Sequence, residues 1–281
     1  MKNSLNLEIE TKNSSIMNNI SPLAFVHPEA TLGDNITVGA FVYIDRNVEI
    51  GDNCFIHSHS SILSGARIGK NNRIYEGCII AATPQDFRWK GEESFVVIGD
   101  DNRIREHVII NRSIHQGKAT RIGNGSYILA QSHIGHDSSI GNMCVLGNGV
   151  KVAGDCVIGD YCILSSGALV HEGFELGDWV LVKGGCRVNG NVPPYVVMAH
   201  NPIAYFGVNS YVLGKNGKSN EIIDDIAKCY RHIYQSQIAL NHACKRILED
   251  VAESDERNSI LRFLKRHKYD IAARQSMPEF E

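Results

Sequence analysis

From Val26 to Val188 the chain carries an aliphatic residue at every sixth position in one unbroken register. Of the 28 slots, 25 hold Ile, Leu or Val, and the exceptions are Asp86, Glu92 and Gln116. A period of six is even. It therefore suits strands, whose side chains alternate between faces, and misses the 3.6-residue period of a helix. Gly directly follows the aliphatic at positions such as Gly33, Gly51, Gly69, Gly123, Gly135 and Gly159, and Asn or Asp recurs in the same turns, residues that accept positive φ. Each hexapeptide is predicted to form a short strand plus a turn. One unit cannot bury its own apolar row, so the units must stack into a parallel β-helix around the ladder.

Two stretches leave the ladder, residues 81–97 and 111–121. Loops ejected from a rigid coil are where binding residues are usually carried, and the first mixes Asp86, Phe87, Arg88, Trp89 and Glu92. Residues 1–20, rich in Asn, Ser and Lys without a period, are expected to be a flexible extension. The coil is expected over 21–195, ending where Pro193 and Pro194 stop any helix. Residues 196–281 then form a transition segment and a small C-terminal helical domain. There Ser219 reads as an N-cap, and Ile222, Ile223, Ile226, Tyr230, Ile233 and Tyr234 recur at helical spacing. Further helical patterning runs from Ile238 to Val251 and from Asn258 to Lys268.

Composition changes this picture little. A net charge of −3, with Lys and Arg interspersed among Asp and Glu, gives no field suited to nucleic acid. No apolar run reaches the length of a membrane span and the N-terminus lacks the order of a secretory signal, so a soluble cytoplasmic protein is expected. Six of the eight cysteines, Cys54, Cys78, Cys144, Cys156, Cys162 and Cys186, stand two residues before a ladder aliphatic. Elsewhere that slot holds Ala or Ser, so these thiols read as buried packing residues rather than metal ligands.

Among twelve histidines, those in Gln131-Ser132-His133-Ile134-Gly135-His136-Asp137 stand apart. His133 and His136 flank the inward Ile134 and are expected on the surface. An adjacent carboxylate is what a histidine general base needs, because it fixes the imidazole tautomer and stabilises the imidazolium as it forms.

At these residues the chain resembles the bacterial acyl-carrier-protein-dependent UDP-N-acetylglucosamine O-acyltransferases, over about residues 20–270. The most specific pieces are Ser21 to Pro28, the Gln85 to Glu92 loop, Ile98 to Glu106, His133 to Asp137, Val192 to Tyr195, and Phe206 to Asn209. The resemblance implies a left-handed parallel β-helix of three hexapeptides per turn, a homotrimer with active sites between subunits, and the first step of lipid A synthesis. Its substrates would be UDP-N-acetylglucosamine and a 3-hydroxyacyl-acyl carrier protein, with no cofactor and no metal. It implies His136 as general base, Asp137 as its orienting partner, and the Gly154 amide as oxyanion donor. Asp86, Arg88, His133, Asp155, His171, Glu172, Asn209 and Lys215 match substrate-binding positions, and Gly184 the floor of the acyl pocket. With three hexapeptides per turn, Gly154-Asp155 and His171-Glu172 lie along one edge with His136-Asp137.

The chain departs from better-known members at Asp155, where histidine is common, at Glu172, where glutamine is, and at Lys215-Asn216, where two arginines stand. Asp for His turns a donor into an acceptor. The basic residues Arg262, Lys265, Arg266 and Lys268 form a candidate docking cluster for the acidic acyl carrier. Alternative readings are the related sugar-nucleotide N-acyltransferase, which carries an extra N-terminal domain, a zinc-dependent hexapeptide-repeat carbonic anhydrase, and a non-catalytic scaffold. The carbonic anhydrase needs three converging ligands, and the pair His133 and His136 lacks an obvious third.

Overall fold

The computed structural model describes residues 17–268 and 270–273. Its body is a left-handed β-helix of triangular section, with three parallel sheets forming the walls. Most hexapeptides contribute a two-residue strand whose first side chain points outwards and whose second, the ladder residue, points in, as in Tyr127–Ile128 and Lys151–Val152. Ladder residues pair at 18 positions, as Ile128 with Leu146 and Ile134 with Val152. Where the first loop intervenes the spacing is 30 (Ile80 with Ile110), and where the second does it is 24 (Ile104 with Ile128). Both loops therefore add whole hexapeptides, which is why the register in the sequence survives them.

Every ladder residue beyond Leu32 is buried. A second inward row fills the space between them, from the residue two positions earlier. Its Ser and Cys side chains also cap the next turn: Ser138 Oγ donates to Ala153 O at 2.7 Å, and Cys156 Sγ to His171 O at 3.1 Å. Burial pushes the Cys144 thiol up to about 12 and the Cys156 thiol to about 11, so both stay protonated and inert.

The turns assign their special residues differently from the expectation. The residue with positive φ is the third after the ladder aliphatic, where Gly65, Gly77, Gly125 and Gly167 share the position with Asn35, Asn53, Asp137, Asp155 and even Trp179. The glycine directly after the aliphatic has ordinary φ and is needed for space. A Cβ on Gly51 would lie 2.8 Å from the Gly69 carbonyl carbon, and one on Gly135 2.6 Å from that of Ala153.

The coil begins earlier than expected, since Asn19–Ile20 pairs with Thr37–Val38; the rest of the expected extension, residues 1–16, lies outside the described residues. The loops are tighter than expected, because Ile79–Ala82, Phe95–Ile98, Ile109–Asn111 and Ala119–Ile122 are strands. What lies between is 83–94 and 112–118.

After the coil, Val196–Ala199 and Ala204–Val208 form an antiparallel pair on the longest sheet. The helices α1 (Ser210–Lys215), α2 (Asn220–Tyr234), α3 (Leu240–Asp250) and α4 (Asp255–Arg266) follow. Helix α1 falls in the stretch read as transition. Helix α4 starts three residues before its patterning, because Ser254 caps it by accepting from Arg257 N. Ser219 caps α2 in the same way. Ile226, Tyr230 and Ile233 of α2 are buried with Ala243 and Ile247 of α3 and Ile260 and Leu264 of α4. Among the described residues no helix is long and apolar enough to cross a membrane.

The two turn positions have separable roles. Gly51→Ala is expected to lose about 1–3 kcal/mol, because neither backbone can retreat. Asn53→Gly, where the backbone already sits at φ 59°, is expected to stay within about 0.5 kcal/mol. Urea denaturation of both variants reads the contrast.

Candidate active site

Five successive connections between the second and third walls fall on one edge of the prism. They are loop 83–94, loop 112–118, and the corners that follow Ile134, Val152 and Val170. The register of Ile134 with Val152 and Val170 places His136, Gly154 and Glu172 at equivalent positions of consecutive coils, with Asp137 and Asp155 beside them.

His136 is not on the open surface as expected; it is 7 % exposed, because loop 83–94 folds over it. Its Nδ1 lies 3.0 Å from Asp137 Oδ2 and its Nε2 3.3 Å from Asp86 Oδ2. Gly154 forms the wall beneath, where a Cβ would stand 2.4 Å from His136 Cε1 and Nε2. Any side chain at 154 would push the ring out of place. Among the described residues no hydrogen bond engages the Gly154 N–H, so that donor stays available.

Asp137 is held from several sides. Ser113 Oγ donates to Oδ1 and Ile114 N donates to Oδ2 at 3.0 Å, while the Asp137 N–H donates to Thr120 Oγ1 at 2.8 Å. Burial pushes the carboxyl up, but Ser113, Ile114 and His136 outweigh it and leave it below the ordinary aspartate value of 3.8. The sequence reading missed Ser113, Ile114 and Thr120. The available signal was that loop 112–118 leaves the coil one turn before His136, on the same edge.

Arg88 organises the other side. Its Nε and Nη2 clasp Asp86 at 3.0 and 2.7 Å, Nη2 reaches Glu172 Oε1 at 2.8 Å, and Asp155 Oδ2 lies 3.9 Å away. These hydrogen bonds hold Asp86 well below the usual carboxylate range, so it stays ionised beside His136. His133 is half-buried, and its Nε2 meets Asn111 Oδ1 at 2.6 Å. The Asn111 Nδ2 donates to Thr83 O, so the amide oxygen is the acceptor and His133 Nε2 carries the proton. Burial lowers the His133 pKa, with Lys151 and His136 assisting, which keeps the ring neutral. His171 is exposed on the same edge, two coils beyond His136.

Two groups of side chains lie close enough to share a cation, Asp86 with His136 and Glu172, and His136 with Asp137 and Asp155. In the first, the guanidinium of Arg88 already bridges both carboxylates, which is the place a metal would need. His133 points to Asn111 rather than joining His136.

The remaining expected residues lie elsewhere in the chain. Gly184 follows Leu181–Val182, so it stands on the edge between the first and second walls, beside Ala199, His200 and Phe206. Asn209 is buried at the start of α1, its Nδ2 donating to Trp179 O at 2.9 Å. Lys215 ends α1 with its ammonium 5.8 Å from the Tyr211 ring centre. Of the basic cluster, Arg266 is committed to an ion pair with Glu175.

The coil and this paired histidine define a hexapeptide-repeat acyltransferase. The family model described as bacterial transferase hexapeptide, six repeats, matches residues 119–154 and 137–172, that of the GMPPB C-terminal domain residues 20–119, and that of UDP-N-acetylglucosamine O-acyltransferase domain 2 residues 191–272. The chain belongs to the acyl-carrier-protein-dependent UDP-N-acetylglucosamine O-acyltransferase family. It is 38 % identical over 247 residues to the enzyme of that name from Xanthomonas axonopodis pv. citri, covering 87 % of this chain and 94 % of the relative. With the Saccharophagus degradans enzyme it shares 41 % over 229 residues, 81 % of this chain and 89 % of the relative. The solved UDP-N-acetylglucosamine acyltransferase of Bacteroides fragilis superposes with a TM-score of 0.85 at 43 % identity, covering 87 % of this chain and 96 % of that one. The Francisella novicida enzyme gives 0.84 at 34 %, covering 88 % and 91 %.

Because Asp137 titrates below its ordinary value when folded, the stability it contributes is present above that value and lost as pH falls through the depressed one. Asp137→Asn should therefore melt below the wild type above about pH 5, and the gap should close as pH drops below 3.8. Thermal denaturation of both proteins across pH checks this, and shared acidic groups cancel in the difference.

Proposed function

We propose that this chain transfers a 3-hydroxyacyl group from acyl carrier protein to the 3-hydroxyl of UDP-N-acetylglucosamine, the first step of lipid A synthesis, with His136 as general base. The observation that carries the reading is His136 held between Asp137 and Gly154 under loop 83–94. With Nδ1–H donating to Asp137, the Nε2 lone pair takes the proton of the sugar hydroxyl. The oxygen attacks the thioester carbonyl, and the Gly154 N–H receives the developing oxyanion. Collapse breaks the carbon–sulfur bond, and the imidazolium returns its proton to the departing thiolate. No acyl-enzyme forms, in keeping with coil thiols that are buried and held protonated by that burial. Asp86, kept ionised by Arg88, offers the substrate an acceptor beside Nε2, while His133, Asp155, His171 and Glu172 line the cleft around the sugar nucleotide.

The same reading includes a homotrimer. Gly184, Asn209 and Lys215 stand apart from the His136 edge, so a neighbouring subunit would bring them to it. The outer face of the first wall supports such packing, with Tyr127, Val145, Ile163 and Leu181 in one continuous apolar row. Gly184 would floor the acyl pocket. A cytoplasmic location follows from the two proposed substrates.

Incubation with UDP-N-acetylglucosamine and a ladder of 3-hydroxyacyl carrier proteins, read by mass spectrometry, tests the reaction. A monoacylated sugar nucleotide is expected, and His136→Ala should lose at least about a hundredfold in kcat with its oligomeric state intact. Near-normal turnover would end the assignment of the base. Gly184→Met should shift the preferred acyl chain to shorter lengths, and an unchanged profile would remove Gly184 from the pocket.

A further inference from the structure

Loop 112–118 contributes a side chain to the acid–base pair itself. Ser113 is fully buried. Its Oγ accepts the His115 N–H at 2.9 Å, which turns the hydroxyl proton away from that side and towards Asp137 Oδ1. The other acceptor within reach, His115 O at 3.4 Å, is longer and neutral. The Ser113 carbonyl in turn accepts from Ser94 Oγ at the end of loop 83–94, so both ejected loops converge on this residue. Asp137 then has a division of labour between its oxygens. Oδ1 takes the serine hydroxyl, and Oδ2 takes the Ile114 N–H and His136 Nδ1.

We propose that Ser113 is a positioning residue of the reaction, its hydroxyl pinning the Asp137 carboxylate so that Oδ2 stays on His136 Nδ1. The proposal rests on His136 being the base. A carboxylate free to turn would present either oxygen to the ring and would spend part of its time off it, lowering the fraction of the correctly oriented base. The hydroxyl also draws charge from Asp137. Without it the carboxylate's charge falls more fully on the imidazole, the protonated ring is favoured, and the base is lost at higher pH. Other charged or titratable groups facing the pair are Asp86, Arg88, Asp155, Glu172, His115 and His133, and all are shared by the variants compared below.

The test is steady-state kinetics over pH with the same two substrates for wild type, Ser113→Ala, Ser113→Thr, Ser113→Cys, Ser94→Ala and His136→Ala. Ser113→Ala should fall about tenfold in kcat with both KM values unchanged, and the acid limb of its rate profile should move to higher pH. Ser113→Thr restores a hydroxyl and should restore the limb. Ser113→Cys keeps the size with a weaker donor, so it should shift the limb less in the same direction, and it carries the test if the alanine variant fails to fold. Ser94→Ala loosens the loop but leaves the hydroxyl on Asp137, so its limb should stay in place. An acid limb that stays or moves down in Ser113→Ala and Ser113→Cys overturns the proposal, as does an equal shift in Ser94→Ala, which would assign the effect to loop rigidity. Turnover retained in His136→Ala removes the base and this proposal together. An inactive His136→Ala beside a Ser113→Ala that matches wild type removes the role of Ser113 alone.

Discussion

The close approach of consecutive coils at the corners where glycine follows the ladder residue governs the rest of this structure. Adjacent turns come together so tightly after the ladder residue that a methyl group on Gly51, Gly123 or Gly135 would meet the backbone of the next coil within 3 Å. That contact lets each inward residue pack on its counterpart one turn away, and lets the Ser and Cys of the second inward row cap carbonyls of the neighbouring coil. The column of Asp and Asn side chains that directly follow the glycines on the edge between the third and first walls does the same for amides, as Asn142 N donating to Asp160 Oδ1 and Asp160 N to Asp178 Oδ1. Because corner polar groups find partners on the next turn, a short peptide unit with no stability of its own becomes a rigid rod.

The rod turns sequence spacing into a catalytic edge. Positions that recur every 18 residues stand above one another, so His136, Gly154 and Glu172 form a column without any further folding requirement. The two loops leave from the same edge one and two turns earlier, and their lengths preserve the register. Loop 83–94 returns over His136 and brings Asp86 and Arg88, while loop 112–118 reaches Asp137 with Ser113 and Ile114. The charges are arranged in consequence. Four carboxylates surround one guanidinium and one imidazole, with Arg88 bridging Asp86 and Glu172, which lie 86 positions apart in the chain. The acidic residues at 155 and 172 are thus neighbours of a cation in this chain, and their departure from the commoner residues of the family has a local partner.

What the sequence determined by itself is whatever depends on period. The aliphatic ladder, the small slot that absorbs six cysteines, the places where two loops leave, and the helix capped by Ser219 all follow from spacing, because a repeat that must stack leaves one way to bury its apolar row. The His136–Asp137 pair was legible for the same reason, since the two are adjacent and fall at a corner. Tertiary structure decided what depends on approach. The glycines directly after the ladder residues serve close packing, while a separate position two residues on, filled by glycine, asparagine, aspartate and even tryptophan, takes the positive φ, a division that only the separation of neighbouring coils imposes. Burial of His136 comes from a loop 50 residues earlier in the sequence, and the grip on Asp137 from Ser113, 24 positions away. Those contacts join residues through the coil's rise and the paths of two loops, and no periodicity in the chain records either.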